Sequence, residues 1–308
     1  MAKRDLTKEK LVLLGQIEQG PLTPESQKTL GKTLSLANNI LVAKAATIVG
    51  QRRVEALTPD LLKAFGRFLE NPLKRDKGCL AKEAIIEALD EMEFDDAEIF
   101  VKGIRWVQAE PAYGRPVDTA AGMRGRCAFA IARLGGPDTV YELVDLLADP
   151  EPQPRIAAVR ALVGIPGEQS EPLLRLKATI GDDSHRVIAE CLSALVRINA
   201  GRSIDFVARF LNSSDMIIAE NAAFALGESR LDEAFAILRR HREASPNPEW
   251  QELLLMPIAI TRSEEAFDYL VEVIETETPG SVAAARKAIR IFDDESHRQR
   301  IPGTTGAP

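Results

Sequence analysis

The sequence has little of what builds most catalytic or metal sites. Its three cysteines, Cys79, Cys127 and Cys191, stand far apart in 308 residues. An odd, dispersed set excludes a disulfide framework. They read as small core residues in a reducing compartment, with the cytoplasm as the expected location. Histidine occurs only at His185, His241 and His297, each followed by an arginine. No His-Glu pair, HExxH or CxxC pattern is present, so no metal is expected, and no cofactor either. No apolar run approaches the roughly 18 residues of a membrane span. The opening MAKRDLTKEKLVLL has charge without the apolar stretch of a secretion signal. GIPGE at Gly164 lacks the lysine and the preceding strand of a phosphate loop.

Positive charge in excess is also missing. The chain carries 39 Lys/Arg against 46 Asp/Glu, a net −7 with a pI near 5.3, which argues against a nucleic-acid partner. The balance is uneven: residues 1–80 sum to +6, residues 81–120 to −6 and the rest to −7. Solvated helix faces explain this, and so would ends that meet different partners. The acidic run Asp90 to Asp96 lacks the ligand spacing and central glycine of a calcium loop, and reads as a helix end followed by an N-cap. The basic cluster Lys74-Arg75-Asp76-Lys77 reads as a solvated loop.

What the chain has is a repeat. Related phrases recur as IARLGG, AVRALVG, CLSALVR, AAFALGE, MPIAIT and ARKAIRIF. Their aligned fourth core positions are Arg133, Ala161, Ala194, Ala225, Ala259 and Ala288, with steps of 28, 33, 31, 34 and 29 and a mean of 31. A period in this range marks stacked helix pairs. The pattern predicts helices over 119–134, 153–163 and 171–180, then 185–198 with 203–212, 216–227 with 231–243, 249–261 with 264–276, and 281–292. Upstream it predicts 7–19, 24–36, 39–50, 59–70, 79–92 and 95–108. Gly135, Gly164 and Gly227 are expected to stop helices. Asp182-Asp183-Ser184 is expected to start one. No strand is expected. Alanines such as Ala158, Ala161, Ala222, Ala223 and Ala225 let one helix of each pair approach its neighbours.

PRIAAVRALVGI followed by EPLLRLKATIGDD resembles a HEAT-like repeat, the type found in bilin lyases and many bacterial scaffold proteins. The likeness is best over about 120–292 and weak over 1–119. The family's Asn/Asp-Val-Arg ladder is degraded: Pro154-Arg155 fits it, while Ile188 and Ala219 replace the arginine. Pro257, inside a helix, is expected to kink it. The resemblance implies an all-α fold, a right-handed α-solenoid (superhelix) of eight or nine HEAT-like helix pairs. It is expected as one continuous solenoid: degenerate repeats over 1–119, regular repeats over 120–295 and a disordered tail over 296–308.

One segment breaks the rhythm. The step from Ala88 to Arg133 is 45 residues, 14 beyond the mean. The excess lies in WVQAEPAYGRPVDTAAGMRGR, Trp106 to Arg126. Its aromatic and charged residues make Trp106, Gln108, Glu110, Tyr113, Arg115, Asp118, Arg124 and Arg126 the candidate binding residues. The alternative is a structural connector: Trp106 packs down, Tyr113 covers the loop and Asp118 caps the next helix. Polar positions on the better-formed helices, Arg160, Glu190 and Glu220, are further candidates.

The expected function is a non-catalytic scaffold or adaptor for another protein or peptide, so the chain is read as not an enzyme. The alternative is an enzyme of the HEAT-like class. Deoxyhypusine hydroxylases need repeated His-Glu pairs, which are absent here. A bilin lyase or isomerase would share the repeat type. An alkylpurine-type DNA glycosylase would need a basic groove, and the acidic stretch 81–120 argues against one.

Overall fold

The computed structural model describes residues 2–302. Apart from one two-residue hairpin, the regular structure of those residues is helical. The chain divides into two compact units, Met1–Pro166 and Gly167–Pro308. The division falls beyond the change of sequence texture at 119/120.

The first unit runs α1 (Ala2–Gln19), α2 (Pro24–Leu34), α3 (Asn39–Gln51), α4 (Thr58–Leu69), α5 (Pro72–Arg75), α6 (Leu80–Glu91) and α7 (Ala97–Ile104). The hairpin β1 (Ala109–Glu110) and β2 (Val117–Asp118) follows, then α8 (Ala121–Leu134), α9 (Thr139–Leu147) and α10 (Pro152–Val163). Helices α3, α6, α8 and α10 pack in succession, and α2, α4, α7 and α9 each pack on one of them. That is four stacked helix pairs.

The second unit repeats the scheme. It contains α11 (Ser170–Ile180), α12 (His185–Ala208), α13 (Met216–Ser229), α14 (Asp232–Ala244), α15 (Pro248–Ile260), α16 (Glu264–Thr276), α17 (Pro279–Ala288) and α18 (Glu295–Arg300). Here α12, α13, α15 and α17 form the row, with α11, α14 and α16 beside it. The second half of α12, beyond a break at Asn199 (φ −157°, ψ 89°), and the 3₁₀ turn Arg209–Asn212 supply the missing partner of α13.

The recurring phrase marks the central row in both units. Ala161, Ala194, Ala225, Ala259 and Ala288 are all buried. Arg133, the outlier, instead crosses from α8 to Asp90 of α6 at 2.9 Å. The methyl side chains set the spacing between helices, and glycine tightens it further. A Cβ on Gly50 would lie 2.6 Å from Ala88 Cα, and one on Gly227 would lie 2.5 Å from the Pro257 carbonyl oxygen.

Several expectations are corrected by the structure. Gly227 does not stop a helix: it lies within α13, where α15 approaches. Gly135 does end α8 with φ +69°, while Gly164 ends α10 in a right-handed conformation. Ser184 precedes α12, but its hydroxyl makes no capping bond; Asp182 Oδ1 accepts the Ser184 N–H at 2.8 Å. The helix expected over 95–108 stops at Ile104, and two short strands follow where none was expected. The expected tail over 296–308 begins as helix. In α18, His297 and Arg300 pair with Glu264, and Arg300 also with Asp268. Residues 303–308 lie outside the described residues.

Candidate functional site

The long connector forms a hairpin fixed at its base and free at its tip. In its register Ala109 pairs with Asp118 and Glu110 with Val117. Every residue from 111 to 117 is exposed, and Tyr113 is wholly so. Gly114 takes φ +103°, a conformation that favours glycine, at the turn.

The base is polar and buried. Gln108 Nε2 donates to the Asp76 carbonyl at 2.8 Å and to Glu110 Oε1 at 2.7 Å. Glu110 Oε1 also accepts the Gly78 N–H at 2.6 Å and the Thr119 hydroxyl at 2.9 Å. Burial is the largest influence on the Glu110 carboxyl and pushes its pKa up. The donors from Gln108, Gly78 and Thr119 outweigh it and hold the group below the usual carboxylate range. Beneath the hairpin lies a wholly buried ion pair, Lys82 Nζ to Asp76 Oδ2 at 2.7 Å. Asp76 also accepts the Ala81 and Lys82 backbone N–H groups, at 2.9 and 3.1 Å.

The other strand is held from α8. Asp118 Oδ1 accepts the N–H of Gln108 and of Ala120, each at 3.0 Å. Arg124 is 2% exposed. It donates to Asp118 Oδ2 at 2.5 Å, to the Trp106 carbonyl at 3.0 Å, and through Nε and NH2 to Asp149 at 2.7 and 2.8 Å. Burial alone lowers the guanidinium pKa; the two carboxylates reverse that and raise it. Burial likewise pushes Asp118 up, and the two N–H groups and Arg124 bring it below its ordinary value.

The eight candidate residues therefore separate. Gln108, Glu110, Asp118 and Arg124 build the base of the hairpin. Trp106 is half-buried, and its Nε1 and Gln108 Oε1 have no hydrogen-bond partner among the described residues. Arg126 faces Glu83 and Glu87 at 3.3 and 2.6 Å. Tyr113 and Arg115 alone are carried at the exposed tip. Of the helix positions, Arg160 is exposed, and Glu190 and Glu220 are half-buried.

The remaining chemistry is sparse. All three cysteines are buried and free, and burial pushes the Cys79 and Cys191 thiols up to about 12, so they stay protonated rather than nucleophilic. No three His, Cys, Asp or Glu side chains among the described residues converge as metal ligands. No described helix is long and apolar enough to cross a membrane. The sequence reading passed over a hollow of about 370 Å³ beside Trp250 and His241. The second tryptophan, nine residues after a histidine and just beyond Asn247-Pro248, was the signal available.

No family model matches the chain, and no curated protein matches it. Solved structures do. One is the complex of CpcE and CpcF of phycocyanin lyase from Nostoc sp. PCC7120. It is 16% identical, covers 89% of this chain and 96% of its own, and has a TM-score of 0.37. Another is human deoxyhypusine hydroxylase in complex with glycerol. It is 17% identical, covers 84% and 98%, and has a TM-score of 0.34. The likeness is one of fold, the all-α arrangement of helix pairs described above. It also corrects one expectation. The chain was read as not an enzyme, but both structures belong to a lyase or a hydroxylase, which points against that reading.

Proposed function

We propose that this helical-repeat protein binds another protein or peptide, and that the hairpin tip is its recognition element. One observation carries the reading: Tyr113 and Arg115 stand exposed on a hairpin whose base is locked by buried hydrogen bonds. Tyrosine and arginine are enriched in binding hot spots. A tip held in place beforehand loses little conformational entropy when it docks. A solvated connector would not need a base so firmly anchored. The acidic stretch 81–120 and the overall charge of −7 favour a protein partner over nucleic acid. Three buried, unpaired thiols support a reducing compartment, and we place the protein in the cytoplasm on that ground.

The test compares the wild-type chain with the Tyr113→Ala/Arg115→Ala variant in affinity purification from the native cell. Loss of a specific partner with an unchanged melting temperature supports the proposal. Equal recovery of every partner by both proteins overturns it.

A further inference from the structure

The hollow in the second unit is built from parts that the hairpin reading does not use. Its wall joins the turn before α13 to the turn between α14 and α15, and Trp250, His241, Met216, Leu211, Pro246 and Asn247 face it. The indole of Trp250 meets the imidazole of His241 edge to face, with ring centroids 6.0 Å apart. We propose that this hollow is a binding site for an uncharged one- or two-ring aromatic compound carrying an N–H or O–H donor.

Three observations carry the assignment. First, the lining holds no Lys, Arg, Asp or Glu. A charged ligand would lose hydration there without gaining a counter-ion, whereas a neutral ring would meet indole, imidazole and thioether surfaces. A volume of about 370 Å³ lies at the small end of ligand pockets. Second, His241 offers an acceptor. Burial lowers its pKa, against a smaller opposing influence of the Leu211 backbone, and favours the neutral ring. One nitrogen of a neutral imidazole carries a lone pair that accepts a hydrogen bond.

Third, the wall is preformed. Asn247 Oδ1 accepts the Glu249 N–H at 3.0 Å and the Trp250 N–H at 3.4 Å, and Gln251 Nε2 donates to the Ser245 carbonyl at 2.6 Å. Behind the turn, Arg242 donates to the Gln251 carbonyl at 2.9 Å and to Glu277 at 2.8 and 2.6 Å. At the rim, Met216 leaves 48% of its surface in water at the first turn of α13. Apolar surface beside a rigid hollow is what a ring would cover.

The chain has two tryptophans, so its ¹⁵N spectrum carries two indole N–H signals, and Trp106→Phe assigns them. Indole is the probe. It should shift the Trp250 signal saturably and leave Trp106 unmoved. Benzofuran, which lacks the donor, should bind about three- to tenfold more weakly. Indole-2-carboxylate, which adds a charge, should bind at least about tenfold more weakly. Ala244→Phe, at an exposed position in the lining, should abolish the shift without unfolding the chain. The assignment is overturned if Trp250 shows no saturable shift, if Ala244→Phe binds indole as tightly as wild type, or if either comparator binds as tightly as indole.

Discussion

Among the described residues, the most deeply buried arginine of each unit serves a different irregular segment. Arg124 is 2% exposed and ties the hairpin strands to Asp149, at the turn after α9. Arg242 is 3% exposed and ties the turn before α15 to Glu277 and to the Tyr269 hydroxyl at 2.7 Å. Helix pairs need no such bracket, because apolar side chains at helical spacing hold them. A loop has backbone groups to satisfy and little apolar surface to bury. A guanidinium with five donors can satisfy several carbonyls and carboxylates at once. In the first unit the bracket leaves a projecting tip. In the second it leaves a hollow. The same device thus supports two opposite surface shapes.

The comparison can be tested, beginning with the largest effect. Ala161→Arg, in the regular row of α10, should cost about 4 kcal/mol or more through overpacking and an unpaired charge; an unchanged urea midpoint would show that the row is not packed as described. Asp76→Ala strips the partner from Lys82 under the hairpin and should cost about 3–5 kcal/mol in the same assay. Arg124→Ala should cost about 2–4 kcal/mol, since Asp118 and Asp149 lie close enough to the surface to regain some water. Tyr113→Ala should change stability by less than about 0.5 kcal/mol. A larger loss would make the tip part of the connector's structure.

The smallest effect is set by pH at α18. His297 places Nδ1 against Asp294 and Nε2, at 2.9 Å, against Glu264, and its ring packs on Phe267 with centroids 4.4 Å apart. Both contacts are satisfied only by the doubly protonated ring, and the hydrogen bond to Asp294, first among several causes, raises its pKa. Stabilisation from a raised histidine is complete below the unfolded value near 6.5 and fades as pH climbs through the folded value. Glu264, lowered first by its bond to Arg300, contributes above its unfolded value near 4.5 and loses that contribution as pH falls through its folded value. The melting-temperature gap between wild type and His297→Ala should therefore be wider at about pH 5.5 than at about pH 8.5. A gap that widens with pH would contradict this charge state.

The helices were legible because burial repeats along each of them. Ala161, Ala194, Ala225, Ala259 and Ala288 fell in the central row on periodicity alone. Glycine was harder to read: at Gly227 the same ALG phrase that looks like a helix end marks a close approach to Pro257, 30 positions later in the chain. The hairpin was legible as an interruption but not in its division of labour. Gln108, Glu110 and Arg124 are residue types that suit a binding surface and a buried network equally. Their partners, Asp76 and Asp149, lie 32 and 25 residues away. No local pattern announces such pairs. Tyr113 and Arg115 are exposed and make no hydrogen bond or ion pair among the described residues, a combination that sets them apart from the other six.

The two-sided anchoring of the hairpin bears on the integrity of the chain itself. Gln108 and Glu110 fasten the incoming strand to the Asp76 turn, while Asp118, Thr119 and Arg124 fasten the outgoing one. A cut after Tyr113 would sever the backbone at a point through which no packing passes. The two pieces would remain joined by buried hydrogen bonds and by the contacts of α8 with α6 and α7. The exposed tip, anchored on both sides, is thus the place where the chain is expected to be opened, lengthened or labelled at least cost to the first unit.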